Sequence, residues 1–79
     1  MYDEIKDSEK NYLIALGKRI KQLRLEKKIS QTEVAYRCGF DKGNYNTIEA
    51  GKRNVTITSL LKISKALDVT VIDLFTFLE

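Results

Sequence analysis

The 79-residue sequence contains no histidine, no proline and no tryptophan, and each absence narrows what the chain can be. Without histidine, neither a Ser-His-Asp nor a Cys-His catalytic arrangement can be assembled. The single cysteine, Cys38, excludes an intramolecular disulfide and a CxxC redox pair, and without histidine it leaves no Cys/His zinc site. The four glycines do not fall into a GxxxxGK[ST] or GxGxxG phosphate-cradling string. No apolar run approaches the roughly 18 residues of a membrane span, and the acidic start MYDEIKDSEK is unlike a signal peptide. The expectation is therefore a protein with no catalytic residues, no metal, no cofactor, no evident small-molecule ligand and no membrane association, in a reducing, cytoplasmic setting. The lack of proline leaves helices uninterrupted.

What remains is enough for one small core and no more. Apolar residues make up 43% and charged residues 32%, the balance of a folded soluble domain rather than of a disordered tail. The net charge of +3 is unevenly placed. Residues 1–10 carry two Lys against four acids, residues 11–54 carry ten Lys and Arg against four, and residues 55–79 carry two Lys against three. A basic middle between mildly acidic ends is compatible with plain solvated surface or with a polyanionic partner.

Apolar spacing is helical almost throughout. Leu13, Leu16, Ile20 and Leu23 predict a helix over about 11–27, preceded by a polar lead, residues 1–10, whose last few residues can extend it. Ser30 with Glu33 three residues on reads as a capping box. It opens a second helix whose stripe is Val34, Ala35 and Cys38 and which stops at Gly39. Asp41 can cap a third helix over 42–50, with Tyr45 and Ile48 inward and Gly51 closing it. Thr56 can cap a fourth with the stripe Ile57, Leu60, Leu61, Ser64 and Leu67. Thr70 can cap a fifth, over 70–79, with Val71, Leu74, Phe75 and Leu78 on one side. Residues 1–79 thus read as a single all-α, five-helix domain, and two of the helices are short and joined by about three residues around a glycine.

That pair, ISQTEVAYRCGFDKGNYNTIEAGKR, resembles the helix-turn-helix of lambda-repressor-like (Cro-type) DNA-binding regulators, here at residues 30–51. Ser30 and Gln31, Val34 and Ala35, Gly39, Ile48 and Glu49, the run GKRN at 51–54 and the tail SLLKISKALDVTVIDLF carry the likeness over roughly residues 13–75. The stretch RNVTITSLLKISKALDV particularly resembles restriction–modification controller proteins. The resemblance implies a sequence-specific, homodimeric regulator of transcription whose partners are a double-stranded operator DNA and a second copy of itself. It also implies that Gln31, Asn44 and, just after the third helix, Lys52, Arg53 and Asn54 hold the sugar–phosphate backbone, and that Arg24 and Glu49 form a partly buried ion pair between the first and third helices. The residue chemistry of the third helix agrees: its outer face offers Lys42, Asn46 and Thr47 to base edges, with Asn44 near its start. Lys suits guanine O6/N7 and Asn suits adenine N6/N7. Ordinary surface polarity for these residues, and helix C-terminal charge compensation for Lys52 and Arg53, are the plainer alternatives.

Three positions depart from the family pattern. Gly43 stands where a base-reading or phosphate-binding side chain is common, Tyr45 where Ile or Val is usual, and Cys38 where an aliphatic residue is usual. Tyr45 is expected to pack against Val34 and Phe40 with its hydroxyl near the surface, and Cys38 to act as a small buried hydrophobe. Antitoxins and other protein-binding modules use the same fold, so protein capture is the competing function; RNA binding is less favoured for want of an aromatic stacking platform. On the fifth helix, Ile72 and Phe77 lie about 60° beyond the edges of the core stripe. Ile72, Phe77 and Leu78 are therefore the expected dimer contacts.

Overall fold

The computed structural model describes residues 6–77. Five helices run in the order α1 (Asp7–Glu26), α2 (Gln31–Cys38), α3 (Lys42–Glu49), α4 (Ile57–Leu67) and α5 (Val71–Leu74). There is no strand among the described residues. One core gathers Leu16, Ile20 and Leu23 of α1, Val34, Ala35 and Cys38 of α2, Tyr45 and Ile48 of α3, Leu60, Ile63, Ala66 and Leu67 of α4, and Leu74 of α5. Helix α1 packs against α3 and α5, and α2 packs against both α3 and α4. The two short helices are thereby held from behind by the two longer ones.

Local chemistry sets most boundaries. Helix α1 starts at Asp7, inside the polar lead, where the Glu9 carboxylate accepts the Lys6 backbone N–H at 2.9 Å. Ser30 Oγ accepts the Glu33 N–H at 3.0 Å and Thr56 Oγ1 accepts the Ser59 N–H at 3.1 Å, each satisfying an orphan donor of a helix start. The expected capping box at Ser30 is half-formed, because the Glu33 carboxylate turns instead to Arg37 Nε at 2.8 Å. The reciprocal box is at α5, where Thr70 N–H donates to Asp73 Oδ2 and Asp73 N–H to Thr70 Oγ1. Asp41 occupies the cap position of α3 without a side-chain bond. At the other ends, α3 closes in a Schellman turn, Gly51 N–H to Ile48 O and Lys52 N–H to Thr47 O, with Gly51 at φ 71°. Helices α1 and α4 close the same way with Lys28 and Asp68 in the left-handed conformation, which no glycine announces.

Two expectations are corrected here. Of the α4 stripe, Ile57 and Leu61 are exposed, and Ile63 and Ala66 take their place in the core. The fifth helix does not run over 70–79: it ends at Leu74 and continues as a turn through Phe77. A four-residue helix has few hydrogen bonds to lose. Through this turn Phe77 lies beside Phe75, ring centroids 6.2 Å apart, and packs against the core. Phe77 is therefore packed on its own subunit, and Leu78, also expected at a dimer contact, lies outside the described residues.

Candidate nucleic-acid interface

The outer face of α3 follows from its inner one. Tyr45, Ile48 and Glu49 are buried. At 3.6 residues per turn this leaves Lys42 and Asn46, one turn apart, exposed, with Asn44 exposed beside them and Thr47 half-buried at the edge. Thr47 Oγ1 donates to the Asn44 carbonyl oxygen at 2.6 Å, so its proton is engaged and its oxygen remains an acceptor. A Cβ at Gly43 would meet nothing within 4 Å, so the fold itself does not require glycine there.

Behind that face sits a buried polar cluster that fixes α3 to its neighbours. Arg24 Nε donates to Glu49 Oε2 at 2.6 Å and Arg24 Nη2 to Oε1 at 3.2 Å, the two-pronged arrangement a guanidinium makes with a carboxylate. Arg24 Nη1 also donates to the Ile29 carbonyl oxygen at 2.9 Å, closing the α1–α2 connection. The Tyr45 hydroxyl donates to Glu49 Oε2, and Gln31 Nε2 donates to Oε1 at 2.9 Å. The implied Arg24–Glu49 pair is thus present, but the Tyr45 hydroxyl is fully buried rather than near the surface, because it completes the set of donors around this carboxylate. Burial pushes the Glu49 carboxyl up, but the hydrogen bonds from Arg24, Tyr45 and Gln31 outweigh it and hold the group below its ordinary value. Burial, then the bond to Glu49, pushes the Tyr45 hydroxyl far up, and its bond to Glu49 raises Arg24 against the opposing effect of burial. Glu49 is accordingly a fixed anion joining α1, α2 and α3. Cys38 is buried, and burial pushes its thiol up, as suits a core residue.

The residues expected at the DNA backbone are placed unequally. Asn44, Arg53 and Asn54 line one hollow of about 140 Å³ between α3 and the start of α4, together with Thr56 and Ser59. Lys52 and Arg53 are exposed, and among the described residues neither has an ion-pair partner. Gln31 is the exception. Its side-chain nitrogen donates to Glu49 Oε1 and, at 3.1 Å, to Asn46 Oδ1, so both of its protons are engaged within the protein. Its remaining oxygen can only accept, and a phosphate has no proton to give. What α2 offers an anion here is the backbone N–H at its first turn.

Among the described residues no helix is long and apolar enough to cross a membrane, and no group of three or more His, Cys, Asp or Glu could hold a metal ion. A helix-turn-helix family model matches residues 20–74, which include α2, α3 and α4. The chain belongs to the Cro/lambda-repressor-type helix-turn-helix family. Its relatives in that family include control protein C.MunI of a Mycoplasma species, 42% identical over 67 residues that cover 84% of this chain and 90% of that protein. Control protein C.BamHI of Bacillus amyloliquefaciens is 38% identical over 68 residues, 85% of this chain and 84% of that one. The crystal structure of the restriction–modification controller protein C.AhdI from Aeromonas hydrophila superposes with a TM-score of 0.80 at 35% identity, over 82% of this chain and 98% of that one. This family member is a DNA-binding transcriptional regulator, and its family and relatives are regulatory proteins rather than enzymes.

Proposed function

We propose that the chain acts as a homodimer, inserting α3 of each subunit into the major groove of an operator, and that it regulates a restriction–modification system as its relatives' names indicate. The observation that carries this reading is the division of α3. Its inner residues, Tyr45, Ile48 and Glu49, are all buried, while the outer Lys42 and Asn46 stand exposed and Thr47 half-exposed beside them. A short, rigidly backed helix with hydrogen-bonding groups outward fits the width of the major groove. In this reading Lys42, Asn46 and Thr47 face base edges, and Asn44, Lys52, Arg53 and Asn54, with the first turn of α2 at Gln31, face phosphates. The cytoplasm is the compartment where such DNA is found. Exposed Ile72, with Ile57 and Leu61 on the adjoining α4, supports a dimer face.

Selection of bound sequences from a random DNA pool, with wild type, Lys42→Ala and Arg53→Ala side by side, tests the reading. Lys42→Ala is expected to change which bases are tolerated, at a cost of ~1–3 kcal/mol on the preferred site. Arg53→Ala is expected to weaken all sequences evenly and to reduce the salt slope by about one. Lys42 and Arg53 variants with wild-type selectivity and salt dependence would remove α3 and its flank from the DNA.

A further inference from the structure

The hydrogen bonds behind α3 have a direction, and that direction reaches the DNA-facing surface. Glu49 is an anion and can only accept, so the Gln31 atom 2.9 Å from its Oε1 must be the amide nitrogen. The same nitrogen lies 3.1 Å from a side-chain atom of Asn46, and an NH2 group can only donate, so that atom must be Asn46 Oδ1. The orientation of both amides therefore follows from the charge on one buried carboxylate. Asn46 Nδ2 makes no hydrogen bond to any other described residue. We infer that Gln31 is a positioning residue for base recognition: it holds the Asn46 oxygen toward α2 and presents the Asn46 NH2 to the groove as a donor.

This deepens the reading of α3 as the recognition helix and rests on it. An outward NH2 matches a base edge with acceptors side by side, which is guanine with its N7 and O6. Adenine, the usual partner of Asn, is read by both ends of the amide together, and here the oxygen, although it keeps a second lone pair, is held toward Gln31 of α2 rather than beside the NH2 at the groove. Asn46 should thus select guanine over adenine, the reverse of what its residue type alone suggests. Lys42, one turn earlier and also a pure donor, would favour the same edge.

The test is selection from a random DNA pool, followed by affinity measurements on single-base variants of the winning site. The proteins are wild type, Lys42→Ala, Asn46→Ala and Gln31→Met. Methionine keeps the length of Gln31 and removes its donors, and Glu49 retains Arg24 and Tyr45, so the fold survives; a thermal melt of each variant verifies this. Asn46→Ala identifies the operator position that Asn46 reads. Wild type is expected to prefer guanine over adenine there by about tenfold. Gln31→Met is expected to bring the two within about twofold at that position while the others keep their preferences. A simple loss of stability would not produce such a change. If Lys42→Ala and Asn46→Ala alter the motif but wild type prefers adenine, or Gln31→Met leaves the preference intact, the inference fails and the recognition helix stands. If no variant alters the motif, both fall together.

Discussion

Arg24 and Glu49 meet across 2.6 Å with side chains only 9% and 3% exposed, and they join the end of α1 to the end of α3. A buried pair of this kind is a poor source of net stability, yet removing one half leaves the other uncompensated. Glu49→Ala strands the Arg24 guanidinium and the Tyr45 hydroxyl together. It is expected to cost about 3 kcal/mol or more in a urea melt, and Arg24→Ala a similar amount. The double change Arg24→Ala with Glu49→Ala should cost clearly less than the two single losses added. Additive losses would mean that the charges are not coupled in solution.

The same cluster contributes to the pH dependence of stability, and on the acid side Asp73, held low by its hydrogen bonds from Thr70, adds to it. Glu49 titrates below its ordinary value of 4.5 in the folded protein, so its contribution is complete above about pH 4.5 and is lost as pH falls through the folded value. Tyr45 is shifted the other way, above its ordinary 10.0, so its contribution is complete below about pH 10 and is lost as pH rises beyond it. Melting temperature against pH should show a plateau with one limb on each side. Glu49→Gln should flatten the acid limb and Tyr45→Phe the alkaline one. An acid limb unchanged in Glu49→Gln would assign it to other carboxylates.

Two glycines make opposite predictions. A Cβ on Gly17 would fall on the carbonyl oxygens of Ile48 and Glu49, 2.6 Å from the former, where the end of α3 rests against α1. Gly17→Ala should push the two helices apart and cost ~1–3 kcal/mol. Gly43 has open space around it and lies within α3, so Gly43→Ala should stabilise the free protein by about 0.5–1 kcal/mol. If the operator backbone comes close to Gly43, the added Cβ meets it there, and operator affinity should drop as the melting temperature rises. Higher stability at unchanged affinity would show that the DNA does not approach Gly43.

These relations were legible in the sequence to different depths. The core stripes of α1 and α2, the caps at Ser30, Thr56 and Thr70, and the outward Lys42 and Asn46 follow from local spacing and cap chemistry, which are properties of a few consecutive residues. Arg24 and Glu49 are 25 residues apart, and only family resemblance joined them. The Gln31–Asn46 bond was out of reach, because it depends on the rotation of α2 against α3 to within a hydrogen-bond length. So did the fate of Ile57 and Leu61, since helical spacing says which residues share a face but not which face the core takes. The early end of α5 was hidden because no glycine or proline marks it, and the packing of Phe75 and Phe77 on the core beyond it is a tertiary contact.

That end of α5 changes what a dimer can be made of. Ile72 is 78% exposed, and α4, which packs on α5, adds Ile57 at 71% and Leu61 at 47%. Fully burying an aliphatic side chain contributes about 1.5–3 kcal/mol, so these three residues, each counted twice across a two-fold axis, can offset much of the roughly 4–15 kcal/mol that association costs. A pairing of this kind must also place the two α3 helices about 34 Å apart to meet successive major-groove faces. Phe77, by contrast, packs on its own core. Sedimentation across micromolar concentrations should find wild type dimeric, and Leu61→Glu and Ile72→Glu should be monomeric with near-normal melting temperatures. Phe77→Glu should instead lower the melting temperature, because it places a charge against the core. If Phe77→Glu dissociates the dimer while keeping its stability, or Ile72→Glu dimerises like wild type, the face lies elsewhere and the turn at 75–77 opens in solution.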